Sequence, residues 1–292
     1  MATGTPTNRT NITLPADVSD EILAKVQEDS AVMSLARQIR LPGRGVAINV
    51  IVSDPEASWV GETSAKPVSN PSLSTKIMQA CKLAVIVPFS KEFRRDVASL
   101  YDALVERLPR ALAEKFDATV FGNGDAPASN FDTFASVTKQ SLASDVYVGL
   151  VSADTDISLH GGIVNGYVIS PQGRGILLGA TDKNDRPLFV NSVAEGAIPM
   201  ILGAPVKQSK GAFVSGSPSV IGVVGDWTQA VWGTVSGVEI TYSEDASLDL
   251  GSGNRIDLFQ QNMFAVRAEI EVGFRANTDM FNALTATGVP SI

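Results

Sequence analysis

The chain is predicted to be an α+β protein. Apolar residues recur at every second position in 46–52, 77–87 and 264–274, as strands require, and at three- and four-residue spacing from Phe93 to Phe116, as a helix requires. Between the first two strand-like runs lies an isolated polar loop with a lone tryptophan, ASWVGETSAKPVSNPS. That loop is too long for a hairpin turn and unusual in a compact domain unless it has a use.

With 292 residues, 44% hydrophobic and 18% charged, the chain is long enough to bury about three quarters of its unfolded surface. A net charge of -8 and a pI near 4.8 argue against a surface that grips nucleic acid, which needs clustered Lys and Arg. Cys81 is the only cysteine, which rules out an intramolecular disulfide and suits a reducing compartment. No apolar run approaches the roughly 20 residues of a bilayer span, and MATGTPTNRTN lacks the pattern of a secretion signal. Cytosolic synthesis and no membrane partner are expected.

Residues 1–13, rich in Thr and Asn, have little to bury and read as a flexible arm. Ile22, Leu23, Val26, Val32, Leu35 and Ile39 suggest partial helix over 15–40, ended by Leu41-Pro42-Gly43. Val46, Ile48, Val50 and Val52 then share one strand face, and Ile77, Gln79, Cys81, Leu83, Val85 and Val87 share another. Gly61 to Ser74, between them, hold too little apolar area to order alone, which suits either a projecting arm that packs on another subunit or a disordered surface loop.

Ser90 is a candidate N-cap, with Glu92 in the first helical turn complementing the dipole. From there Phe93, Val97, Leu100, Tyr101, Leu104, Leu108, Leu112 and Phe116 predict a helix of about 31 residues, roughly 46 Å long. Gly122 stands where a left-handed C-terminal residue is wanted. Pro109 removes one helical hydrogen bond, which predicts either a kink or two helices joined near Leu108.

Residues 122–145 are turn-rich, and 146–225 read as a mixed domain with short strands. Within it GRGILLGATDKNDRPLFV is expected to form a hairpin, with Ile176 and Leu178 on one arm, Leu188 and Val190 on the other, and Asp182 to Arg186 as the turn. Val238, Ile240 and Tyr242 alternate with polar residues. Phe264, Val266, Ala268, Ile270, Val272 and Phe274 do the same more cleanly, so one face of that strand packs and the other is charged. Asp279 to Thr285 are expected to form a short final helix.

Catalytic constellations fail one by one. His160 is the only histidine and precedes Gly161-Gly162 in an expected turn, which removes a His-based metal cluster and leaves little for a triad. Cys81 lies in a strand and reads as a packed side chain. No P-loop, G-x-G-x-x-G or G-x-S-x-G occurs; Gly122 and Gly124, and Gly251 and Gly253, lack the third glycine. Asp182, Asn184 and Asp185 begin like a calcium loop but lack its later glycine and glutamate, and Asp154 with Asp156 read as solvated loop acids. No enzyme activity, metal or cofactor is expected.

What remains distinctive is order and spacing. Trp59-Val60-Gly61-Glu62, Lys66-Pro67 and KLAVIVPFSKEF precede the long helix; Gly122 and Gly124 follow it. Then come NGYVISPQGRGILLGATDKNDRPLF at 165–189, ILGAPV at 201–206, VVGDW at 223–227 and QNMFAVRAEIEVGFRA at 261–276. This series, over about residues 30–286, resembles the major capsid proteins of tailed phages, the Hong Kong 97 fold. The resemblance implies an N-terminal arm (1–45), an extended β-hairpin loop (46–88), a peripheral domain with a spine helix and β-sheet (89–145 and 226–275) and an axial domain (146–225 and 276–292).

It also implies a self-assembling subunit whose pentamers and hexamers form an icosahedral head. Its partners would be copies of itself, scaffolding and portal proteins, and enclosed double-stranded DNA held without sequence-specific binding. Assembly-interface candidates are Trp59, Glu62 and Lys66 of the loop with Arg94 and Arg95 of the helix. Some members join subunits by an isopeptide bond from a loop lysine to a neighbour's asparagine; Lys66 is the matching lysine, with no partner placed. The chain opens almost at the arm, so scaffolding is expected either as a separate protein or as a removed segment. An encapsulin, a bacterial nanocompartment shell of the same fold, is the alternative, and a hydrolase would need a nucleophile and base that the sequence does not show.

Overall fold

The cleanest alternation in the sequence becomes the longest strand. In the computed structural model, which describes residues 25–27, 29–43, 45–51, 59–60, 66, 68, 73–92, 107–182, 184, 186–189, 198, 200–249 and 255–289, Met263–Ala276 is one strand. The strands are β1 (Arg37–Arg40), β2 (Val46–Ile51), β3 (Leu73–Met78), β4 (Cys81–Ser90), β5 (Thr138–Ser141), β6 (Gly166–Ile169), β7 (Met200–Ile201) and β8 (Ala204–Gln208). They continue as β9 (Ser219–Gly225), β10 (Ala230–Thr234), β11 (Glu239–Ser243), β12 (Ser247–Asp249), β13 (Arg255–Asp257), β14 (Met263–Ala276) and β15 (Phe281–Ala286). The helices are α1 (Ala31–Leu35), α2 (Leu108–Val120), α3 (Val146–Leu159) and α4 (Pro171–Leu178).

Strand β14 organises a five-stranded sheet. Along most of its length it pairs antiparallel with β4, from Met263↔Ser90 to Val272↔Cys81. Its other edge takes β11 beside Ala265–Glu269 and β10 beside Val272–Ala276, and β1 adds parallel to β10. Its apolar face, with Ile270 and Phe274, packs on α2, where Phe116 meets Phe274 edge-on at 6.3 Å. Residues 37–40, expected to be helical, instead form the edge strand β1, because Arg37, Gln38 and Arg40 leave no apolar stripe for a helix to bury.

The second sheet runs β5-β15-β9-β6-β8-β7. Its central strands are buried on both faces: Val168, Val223 and Ala283 face the core shared with the first sheet, while Tyr167, Ile169, Val224 and Leu284 face a second core under α3 and α4. Burial on both sides removes the alternation that marks a half-buried strand. This is why Asp279 to Thr285, expected to be helical, is a short 3₁₀ turn at Thr278–Met280 followed by β15.

Two further segments depart from expectation. The stretch holding Asp154 and Asp156 is the helix α3 and not a loop; Asp145 caps it by accepting the Val148 N–H at 3.1 Å. The first arm of the expected hairpin, through Ile176 and Leu178, is the helix α4, started by Ser170, which accepts the Gly173 N–H, and by Pro171 in the first turn. The turn itself is present, with Thr181 bridging Pro187 and Asp182 accepting from the Asn184 and Arg186 N–H groups. The face assigned across 77–87 also splits at Gln79 and Ala80: Cys81, Leu83, Val85 and Val87 pack on the core, but before the break Met78 is buried and Ile77 exposed.

Ser90 accepts the Glu92 N–H at 3.2 Å where Lys91 and Glu92 turn helical, as expected; residues 93–106 lie outside the described residues, as do 1–24 and 52–58. Helix α2 starts at Leu108 with Pro109 in its first turn, where the missing N–H has no helical partner to lose. It ends as a Schellman cap: Gly122 at φ +84° donates to Thr119, and Asn123 donates to Ala118 at 2.8 Å. Pro109→Ala is therefore expected to change stability by less than about 1 kcal/mol, against about 3 kcal/mol if Pro109 broke a helix interior. A thermal melt of the purified variant distinguishes the two.

The tight β7–β8 turn is Leu202-Gly203, flanked by the Ile201↔Ala204 pair, with φ +46° and +84°. Two left-handed residues make a type I′ turn, where Asn-Gly is the favoured pair. Leucine at the first position is an uncommon choice.

Candidate assembly surface

The hairpin β2–β3 is held in register from Val46↔Met78 to Ile51↔Leu73, and its root is tied down by one carboxylate. Asp132 accepts from Lys76 Nζ at 3.2 Å, from Arg275 Nη1 at 2.7 Å and from the Ala276 N–H at 3.0 Å. Lys76 also donates to the Ala276 carbonyl at 2.7 Å, and Arg275 Nε donates to the Ile77 carbonyl at 3.0 Å. Two cations and one anion thus join β3, the loop before β5 and the end of β14. Buried Met78 packs beneath them with Leu41 and Val231.

Asp132→Ala would leave two partly buried cations without their anion, a loss of about 2 to 4 kcal/mol by comparison with other broken partly buried pairs. The expected result is faster amide exchange in β3, with β15 unchanged. Equal protection in both strands would show that the root is held by Met78 packing alone.

A second carboxylate ties the spine of the molecule together. Asp117 of α2 is buried, and accepts from Ser30 Oγ at 2.5 Å, Ser209 Oγ at 2.8 Å, the Ala31 N–H at 2.9 Å and the Val32 N–H at 3.4 Å. It serves as an outside cap for α1 while bonding the segment after β8. Burial pushes its carboxyl above the ordinary aspartate range, against those four bonds, which pull it down.

The charged face of β14 is half-buried and paired. Lys82 lies 3.1 Å from Glu271 and 3.6 Å from Glu269; the Glu271 hydrogen bond and charge, then Glu269, hold its ammonium above the usual lysine range. Arg267 pairs with Glu269 at 3.2 Å and Lys91 with Glu244 at 2.8 Å.

Of the residues singled out from sequence, Trp59 is fully exposed, at 105% of its reference area, and Lys66 is exposed. Glu62, Arg94 and Arg95 lie outside the described residues. His160 caps the end of α3, its Nδ1 2.8 Å from the Asp156 carbonyl. Asp156 accepts from Asn282 at 2.9 Å. Burial pushes the Cys81 thiol up, away from the thiolate a nucleophile needs. Among the described residues no group of three His, Cys, Asp or Glu side chains could hold a metal, and no helix is long and apolar enough to cross a membrane.

Sequence reasoning missed Asp117 and Asp132. Asp117 left a signal, since it sits on the stripe Leu112, Ala113, Phe116 and Val120 that α2 buries. Asp132 left none, because its partners are 56 and 143 residues away.

Two sheets that share a core, with a tethered hairpin beside them, define an α+β architecture. Comparison with known proteins places it further. The model of the phage capsid family matches residues 10–279, and the chain belongs to that family. It is 28% identical to the "Probable major capsid protein gp17" of Mycobacterium phage D29 over 289 residues, 93% of this chain and 89% of the relative. It is 24% identical to the "Major capsid protein" of Staphylococcus phage 80alpha, over 91% of this chain and 82% of that one. Among solved structures, a chain from Gordonia phage Cozz superposes with a TM-score of 0.72 at 21% identity, covering 89% of this chain and 87% of that chain. One from "Capsid of native GTA particle computed with C5 symmetry" gives 0.64 at 15% identity, over 97% and 95%. The α+β fold is that of phage capsid subunits.

Proposed function

We propose that this chain is the major capsid protein of a tailed phage, which self-assembles into pentamers and hexamers that close an icosahedral head around double-stranded DNA. The observation that carries the reading is the family match over residues 10–279, joined by relatives named major capsid proteins that align along nine tenths of the chain. Relatives of this kind favour a phage head over the nanocompartment alternative. Its role is structural rather than catalytic, its place is the virion, and assembly occurs in the host cytoplasm with scaffolding and portal proteins.

In the Hong Kong 97 plan, 1–45 is the arm, 46–88 the extended loop, 89–145 with 226–275 the peripheral domain and 146–225 with 276–292 the axial domain. The five-stranded sheet with α2 supports the peripheral assignment, and the six-stranded sheet supports the axial one. Strand β4 pairs with β14 and β5 pairs with β15, so each joins a sheet beyond its own segment's bounds. The exposed Trp59 suits an anchor that a neighbouring copy covers. The net charge of -8 keeps the shell from adhering to the DNA it encloses.

The test is assembly of the purified chain, alone and with scaffolding protein, followed by analytical ultracentrifugation and electron microscopy. Rings or closed shells are expected. A monomer under every condition would overturn the reading.

A further inference from the structure

Helix α3 is apolar on the side that should face water. Gly149, Leu150, Ala153 and Ile157 are buried on the sheet, and a Cβ on Gly149 would lie 2.5 Å from the Ser141 carbonyl oxygen, so the helix cannot roll. Yet Tyr147, Val148, Val151 and Leu159 are exposed, and with Gln140 and Thr155 they line an open groove of about 400 Å³. A surface helix normally turns charged residues outward there.

The opposite edge of the same sheet carries a matching anomaly. Met200 and Leu202 are exposed at the β7–β8 turn, and Leu202 holds the left-handed conformation that asparagine would adopt more readily. The charges are complementary. Asp156 lines the groove and no basic residue occurs in 145–159, while the exposed Lys207 follows the turn with no acid in 200–207.

Resting on the reading of the chain as a self-assembling capsid subunit, we infer that the occupant of the α3 groove is the β7–β8 turn of a second copy, docked edge to edge. The turn cannot reach its own groove, because five strand spacings separate β7 from β5, about 24 Å. A two-fold contact of groove on groove would set acids against acids. A head-to-tail contact instead places the apolar turn, and the Lys207 that follows it, against the Asp156-lined groove of the next copy, and repetition by a fixed rotation closes a ring.

Two variants of the full chain separate this contact from folding. Leu202→Asn supplies the residue the turn favours and removes the apolar knob, so the dissociated subunit is expected to melt at or above the wild-type temperature while the concentration needed for assembly rises at least tenfold. Val148→Glu adds an acid at an exposed groove position and is expected to raise that concentration similarly. The direct measurement is oxidation of assembled Val148→Cys/Leu202→Cys protein in a Cys81→Ser background. A ladder of linked chains ending at five or six is expected, since a bond within one chain would have to span the sheet. If the double-cysteine protein assembles but stays monomeric on a denaturing gel, or if both single variants assemble at the wild-type concentration, the inference is wrong although the capsid reading stands. If the wild-type chain forms no rings or shells, the capsid reading fails and takes this inference with it.

Discussion

Ile270→Asp is expected to abolish folding, while Glu271→Gln is expected to fold and melt with the wild type. The two neighbours occupy opposite faces of β14: Ile270 is buried in the core beneath α2, and Glu271 shares the exposed Lys82 with Glu269. A carboxylate at 270 would be buried in the apolar core, costing several kcal/mol against a total stability of roughly 5 to 15 kcal/mol. At 271 the amide keeps the shape and loses one arm of an exposed ion pair, of the kind that contributes little. Soluble yield and near-ultraviolet circular dichroism report the outcome. If both variants fold alike, Ile270 does not face the core.

Asp117→Ala is expected to lower stability by about 3 kcal/mol, or roughly 6 to 12 °C in melting temperature for a chain of this size, because α1 loses its outside cap and the Ser30 and Ser209 hydroxyls lose their acceptor. The same residue gives a pH signature. Its native carboxyl is raised above the unfolded value, so between those two values the native state binds more protons than the unfolded state. Stability from this group is then full below the unfolded value near 3.8 and declines as pH rises through the native value. Asp117→Asn, which cannot titrate, should remove that decline, leaving a flatter profile of melting temperature from pH 4 upward. A slope identical to wild type would show that other groups dominate the pH response.

The parts of the fold legible in the sequence are those with one wet face. Strands β14, β11 and β4 alternate because solvent lies on one side, and α2 shows its stripe for the same reason. Strand β15 is illegible as a strand because Phe281 through Ala286 are all buried, leaving too little polar alternation to mark a period. Helix α3 is hidden differently, since Val146 to Val151 are apolar around most of the circumference and only the Asp145 cap announces it. Ser170-Pro171 marks the start of α4, but the alternation of Ile176 with Leu178 before a strong turn favours a strand. Of the surface, the exposed Trp59 stands out as a lone aromatic in a polar loop. Asp132 does not, since its significance lies wholly in what the fold brings to it.

The aromatic cluster between the sheets bears on how the subunit responds to force. Phe134 packs on Phe281 of β15 at 4.6 Å and meets Phe274 of β14 edge-on at 5.7 Å, with Trp227 closing the group at 5.8 Å. Aromatic rings interlocked at these angles leave no plane along which one sheet can slide, and close-packed interiors compress little. The joint is a weld and not a hinge. Load applied to either sheet passes to the other nearly undiminished, so a pressurised container built from such plates would yield at its seams before any single plate bent.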